Sequence, residues 1–142
     1  MAGFEAARAA GVTTFFDPGP GNPDIDNSWH LEAIAMSNVV LMNRREALRL
    51  TGLEDDEAVV QALQKIGAEL ILLKRGELGL LAARGDERVQ APGLDVEAKD
   101  ATGAGDSVAG AMIYGVLHDL PLEKLAALGN ATGAAKVQNI GT

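Results

Sequence analysis

The sequence predicts an α/β domain built on a largely parallel sheet. Strand-like and helix-like segments alternate along all 142 residues, the pattern that lays helices against a parallel sheet. Residues 69–73, Glu-Leu-Ile-Leu-Leu, form a nearly continuous apolar run, as in a strand covered on both faces. Residues 100–110, Asp-Ala-Thr-Gly-Ala-Gly-Asp-Ser-Val-Ala-Gly, pass straight into a helical pattern, so a glycine-rich turn opens a helix.

Residues 4–10 read as the end of a helix that Gly11 stops. The β-branched and aromatic run at 12–16 is a strand, and residues 17–23, Asp-Pro-Gly-Pro-Gly-Asn-Pro, are a rigid loop. Asp17 ends that strand where ligands bind in α/β sheets, although Asp before Pro also starts an ordinary turn. Residues 27–36 form an amphipathic helix with Leu31, Ile34 and Ala35 on one face, and 38–42 the next strand. The helix opened at Asn43 runs to Leu50 and stops at Gly52. Asn43 with Glu46 three residues on makes a capping-box arrangement.

The acidic residues 54–57 begin another helix, at the end that favours negative charge. Val59, Ala62, Leu63 and Ile66 give its apolar stripe, and Gly67 closes it. After the buried strand come Lys74, Arg75 and Gly76, then antiparallel strands at 78–83 and 87–91. Pro121 opens the last helix, which continues through the small residues of 130–137. Small side chains there admit a close neighbour, either a packed helix or a flat ring. No repeat or long linker divides the chain, so residues 1–142 are expected to form a single domain.

Composition excludes several function classes. A net charge of −8 with no Lys/Arg cluster argues against a nucleic-acid partner. Cysteine is absent, which removes disulfides and thiol-ligated zinc. His30 and His118 stand far from metal-ligand spacing and are expected at the surface or at helix caps. The longest apolar run, 109–117, is broken by Gly110 and Gly115 and falls short of the roughly 18 residues of a membrane span. Residues 1–8 lack the pattern of a signal peptide, so a cytoplasmic protein with no membrane partner is expected. The P-loop pattern is missing, the dinucleotide fingerprint lacks its third glycine at position 108, and there is no nucleophile elbow.

Reactive groups concentrate at 100–110. Val108, Ala111, Met112 and Val116 recur at helical spacing, so Gly103 and Gly105 sit where the chain turns into the helix. The first amides of a helix have no internal partner and, with the helix dipole, attract anions. Asp106 sets a carboxylate beside that seat. One task fits such an acid: taking the proton of a hydroxyl that attacks a phosphoryl group, while the amides of Gly103, Ala104 and Gly105 hold the transferred oxygens.

The stretch resembles the second signature of the ribokinase-like (PfkB) family of carbohydrate kinases, written Asp-Thr-Thr-Gly-Ala-Gly-Asp, any residue, Phe, any residue, Gly. Asp100, Thr102, Gly103, Ala104, Gly105, Asp106 and Gly110 fall in register. Ala101 and Val108 depart from it without removing a reactive group. The resemblance implies a ribokinase-like, Rossmann-like three-layer domain, MgATP as donor, and a sugar or related small alcohol as acceptor. It also implies that Asp106 is the general base. Asn43 and Glu46 match the Asn-x-x-Glu motif of phosphate and magnesium handling, Glu46 acting through water. Gly76 matches a glycine near the nucleotide phosphates; Lys74 and Arg75 beside it either supply charge there or are simply exposed at a strand end. Asn130, Ala131, Gly133 and Ala134 match the border of the adenine pocket, and Asp100 and Thr102 a monovalent-cation site, usually potassium.

Family members are longer, and the resemblance implies that their amino-terminal half, with its sugar contacts and lid sheet, is missing here. The expectation is the nucleotide-binding and catalytic portion of a sugar kinase, with an uncovered apolar face that favours a homo-oligomer. A non-catalytic nucleotide-binding or interaction module keeping the same fold is the competing reading.

Overall fold

The computed structural model describes residues 1–21 and 26–141. In chain order its elements are α1 (Ala2–Ala9), β1 (Phe15–Phe16), α2 (Ser28–Ala35), β2 (Val39–Asn43), α3 (Arg44–Thr51), α4 (Asp56–Ile66) and β3 (Leu70–Lys74). A one-turn 3-10 helix (Gly76–Leu78), β4 (Leu80–Arg84), β5 (Glu87–Ala91), α5 (Ala104–Leu117) and α6 (Leu122–Val137) complete the chain. The strands form one mostly parallel sheet in the order β1-β2-β3-β4-β5.

Phe15 pairs with Val39 and Phe16 with Val40 in the parallel β1–β2 ladder. The same opening hydrogen bond recurs one strand on: Val39 N donates to Thr14 O and Leu70 N to Asn38 O, both at 3.0 Å. β1, β2 and β3 therefore start level, and the helices between them carry the chain back each time. Only Gly85 and Asp86 join β4 to β5, too few for a crossover, so these two run as a hairpin. Val39, Val40, Leu41 and Met42 are all buried, as are Leu70, Ile71, Leu72 and Leu73. Burial without alternation is what covering both faces of a strand produces.

The chain packs as two compact units, Met1–Leu73 with Ala83–Glu87, and Lys74–Ala82 with Arg88–Thr142. In the first, α4 starts at the Asp55 cap, whose side chain accepts from Ala58 N, and buries Val59, Val60 and Leu63. The strand expected at 12–16 contracts to two residues because Thr14 gives its amide to the Asn38 side chain (3.0 Å) instead of to the ladder. On α2 the buried residues are His30, Ala33 and Ile34, while Ala35 is exposed. His30 thus departs from its expected place at the surface. Its ring lies 5.0 Å from that of Trp29 and 6.4 Å from that of Phe16, centroid to centroid, and it fills the aromatic corner beside β1.

In the second unit α5 packs on α6 through glycines. A Cβ on Gly115 would stand 2.5 Å from Leu125 Cδ2, and one on Gly129 3.0 Å from Leu80 Cδ1 and 3.1 Å from Met112 Cε. Those glycines let the helices approach closely. Of the loop expected at 17–23, Asn22 and Pro23 lie outside the described residues. Among the described residues no helix is long and apolar enough to cross a membrane.

Candidate functional site

The head of α5 gathers the groups with chemical potential. Gly103 is its N-cap, with φ of 75° and ψ of 2°, and no side chain caps the helix. That left-handed conformation strains any residue with a Cβ. Ala104 N donates to Ala101 O at 3.1 Å, and Ser107 N to Gly103 O at 2.9 Å. Among the described residues the amides of Gly103, Gly105 and Asp106 donate to no protein acceptor. Three N–H groups and the helix dipole therefore face outward from one turn. The expected trio of amides changes in one respect: the Ala104 amide is taken by the turn, and the Asp106 amide is open.

Lys74, the last residue of β3, brings its ammonium to the same turn. Its Nζ is 3.4 Å from where a Cβ on Gly105 would stand. A side chain at position 105 would therefore stand against that ammonium. The Asp106 side chain is exposed in this first turn. Arg75, in contrast, is taken up by structure: Nη1 donates to Gln90 Oε1 (3.2 Å) and Nη2 to Leu78 O (3.0 Å). Gly76 is exposed, has φ of 61°, and nothing would meet a Cβ on it within 4 Å. Its glycine is needed for backbone conformation and not for room.

Asp100 fixes the turn before α5. Its Oδ1 accepts Thr102 N (2.8 Å) and its Oδ2 accepts Gly141 N (3.0 Å). The Thr102 hydroxyl and amide, then the Gly141 amide and the Lys136 charge, hold this carboxyl at about 2, below its ordinary 3.8. The amides of Lys99 and Asp100 both donate to Val137 O, at 2.7 and 3.1 Å. The signature is thereby pinned to the end of α6. Further back on α6, Asn130 Nδ2 donates to Pro92 O at 2.7 Å. A Cβ on Gly133 would lie 3.3 Å from Val108 Cγ2, so Gly133 serves helix packing. Ala131 is exposed and Ala134 half-buried.

Two glycines that the sequence did not single out hold the Pro92 loop. A Cβ on Gly79 would collide with Ala91 O, and one on Gly93 with Glu77 O. Two backbone segments cross there at a distance that no side chain permits. A Gly-x-x-Gly pattern would not have shown this, because the residues meet from separate stretches of chain.

In the first unit, Asn43 and Glu46 make a complete capping box at the head of α3. Asn43 Oδ1 accepts Glu46 N (2.9 Å) and Glu46 Oε2 accepts Asn43 N (2.7 Å). Glu46 is only 7% exposed. Asp17, at the end of β1, is exposed, and its Oδ1 accepts Gly19 N at 3.0 Å in a turn. Among the described residues no group of three or more His, Cys, Asp or Glu is placed to hold a metal ion.

Comparison with known proteins identifies the family. The family model described as "pfkB family carbohydrate kinase" matches residues 2–142. The chain belongs to that family. It is 38% identical over 101 residues to a cytidine kinase of Thermococcus kodakarensis, covering 69% of this chain and 36% of that protein. To mouse ribokinase it is 32% identical over 145 residues, covering 96% of this chain and 44% of that protein. Among solved structures, the adenosine kinase of Sinorhizobium meliloti superposes with a TM-score of 0.83 at 30% identity, over 99% of this chain and 45% of that one. The chain thus spans less than half the length of each of these relatives.

Proposed function

We propose that residues 1–142 are the nucleotide-binding and catalytic portion of a kinase that transfers a phosphoryl group from ATP to a hydroxyl of a sugar or related small alcohol. The observation that carries this reading is the head of α5, where open amides, the Lys74 ammonium and the Asp106 carboxylate share one turn. Membership of the pfkB family supports it. The Asp106 carboxylate takes the proton of the acceptor hydroxyl as that oxygen bonds to the terminal phosphorus. The bond to the bridging oxygen breaks, and its electron pair leaves with ADP. The amides of Gly103 and Gly105, joined by that of Asp106, meet the charge on the transferred oxygens. Lys74 adds a cation beside the phosphates.

The remaining assignments rest on the family pattern. Asn43 and Glu46 handle phosphate and magnesium, Glu46 through water; the metal supplies neutralisation of phosphate charge when bound. Asn130, Ala131, Gly133 and Ala134 border the adenine, Gly76 and Thr102 lie by the phosphates, and Asp100 with Thr102 serves a potassium ion. The alternative reading is a non-catalytic nucleotide-binding or interaction module that keeps the kinase fold.

Calorimetry with MgATP tests the reading. The wild-type chain is expected to bind, Asp106→Asn to bind equally, and Lys74→Met to bind about tenfold more weakly, the loss of a charge-assisted hydrogen bond. Turnover is screened on ribose, fructose, 2-keto-3-deoxygluconate and nucleosides. Transfer that Asp106→Asn abolishes supports the kinase; binding with no transfer supports the module; absence of MgATP binding refutes both.

A further inference from the structure

The turn before α5 carries a cation of its own. Lys136, in the last turn of α6, donates from Nζ to Gly141 O at 2.5 Å. Gly141 donates from its amide to Asp100 Oδ2 at 3.0 Å, and Asp100 Oδ1 accepts Thr102 N at 2.8 Å. One residue thus joins an ammonium, held on its oxygen, to a carboxylate, held on its nitrogen. After the Thr102 hydroxyl and amide and the Gly141 amide, the Lys136 charge also lowers the Asp100 carboxyl, so the two charges act on one another. All of these residues belong to one compact unit.

The potassium role of Asp100 and Thr102 rests on the family pattern alone; the structure sets an ammonium close to them. A potassium ion gives up its water for a ring of carbonyl oxygens. At the end of α6 such oxygens are engaged by the chain itself. Ala134 O accepts Gln138 Nε2 and Ala135 O accepts Asn139 Nδ2, both at 3.0 Å. Lys136 O accepts Asn139 N at 3.1 Å, and Val137 O accepts the amides of Lys99 and Asp100. An ammonium has three donors and needs only a few acceptors, and the carboxyl end of a helix favours its charge. With Lys136 on Gly141 O, the groups fit an ammonium and leave no place for a second cation.

We propose that the Lys136 ammonium replaces the potassium ion of the family pattern, a tethered cation that holds the turn from Asp100 to Gly103 without an ion from solution. The proposed function enters only in taking this turn as a monovalent-cation site. Lys136 is then a positioning residue. It acts through Gly141 and Asp100 on Thr102 N, the amide just before the Gly103 cap, and so on the open amides of α5.

Thermal melts followed by circular dichroism test this, in potassium chloride and in choline chloride of equal ionic strength, choline being too bulky to enter the turn. The wild-type chain should melt at the same temperature in both. Lys136→Met should melt about 2–4 °C lower in choline chloride, the share of one exposed charged contact. It should recover in potassium chloride, where the ion takes the place on Gly141 O that the ammonium has left. Lys136→Arg, which keeps the charge, should ignore the choice of salt, as should Lys124→Met, an exposed lysine earlier on α6. A wild-type midpoint raised by potassium overturns the proposal, since an ion then binds with the lysine in place. A Lys136→Met midpoint lowered equally in both salts, or in neither, overturns it too, since the lysine is then a plain surface contact. Calorimetry in the same salts reads the link to the open amides: wild type should bind MgATP alike in both, and Lys136→Met about fivefold more weakly in choline chloride alone. Absence of MgATP binding from every sample would strike the kinase reading and leave the melts to decide the cation.

Discussion

Replacing Glu46 by glutamine and by alanine separates two tasks that one carboxylate can hold. Its Oε2 accepts Asn43 N at 2.7 Å while Asn43 Oδ1 accepts Glu46 N at 2.9 Å, and the side chain is largely buried. Alanine removes the acceptor and leaves the Asn43 amide without its partner. A fully buried orphaned amide costs about 1–3 kcal/mol, and loss of a cap typically about 1; for the partly buried Asn43 amide a loss of about 1.5 kcal/mol is expected. Glutamine keeps an acceptor oxygen at the same reach, as it does in capping boxes generally. It loses only the attraction between charge and helix terminus, about 0.3–1 kcal/mol. The two variants should therefore differ by about 1 kcal/mol, or roughly 2–4 °C in melting midpoint for a chain of this size.

Trp29 is the only tryptophan and lies in the same compact unit, so its fluorescence in a urea titration reads the unit that holds Glu46. Calorimetry on the same samples reads MgATP affinity. If Glu46 contacts metal-bound water, glutamine lowers that affinity while moving the urea midpoint less than alanine does. Equal destabilisation by both variants would refute the capping argument. An unchanged MgATP affinity in Glu46→Gln would refute the metal role and leave the cap in place.

Glycine substitutions on α5 should split by face. Gly115→Ala pushes a methyl to 2.5 Å from Leu125 Cδ2 and 3.4 Å from Leu120 Cδ1. Overpacking of about 1–3 kcal/mol outweighs a helix-propensity gain of about 1, so a net loss near 1 kcal/mol is expected. Gly110→Ala meets nothing within 4 Å and should raise the melting midpoint of the isolated chain; equal shifts in circular-dichroism melts would contradict this packing. For His30, burial first and the Arg49 charge second lower the imidazole below its ordinary 6.5. The unfolded chain then binds a proton that the folded unit refuses. Stability is full above about pH 6.5 and falls as pH drops toward the lowered folded value. His30→Gln should remove that part of the slope in Trp29 urea midpoints; an identical slope in both proteins would refute it.

Much of the fold is written in neighbouring residues. Asn43 and Gly52 bracket α3, Asp55 and Gly67 bracket α4, and each signal acts within one turn of its own helix. The unbroken apolar run of β3 announced a strand covered on both sides. The glycines before Asp106 announced a helix opening with bare amides, and the family pattern lay in the same few residues. His30 was misjudged because a single histidine carries no periodicity; its burial depends on Phe16, which reaches it from β1. The hydrogen bond from Arg75 to Gln90, on β5, likewise joins separate stretches of chain that no local signal pairs.

Local sequence thus settled which segments are helix or strand, and which turn carries the acid and the open amides. Backbone dihedrals, caps and helix dipoles are properties of a few adjacent residues. Tertiary packing brought the Lys74 ammonium to Gly105, and tied Asp100 to Gly141 and Asn130 to Pro92. These partners stand about forty residues apart along the chain, or thirty for Lys74 and Gly105. No local propensity encodes such a pairing; it exists only once the helices and strands have been packed against one another.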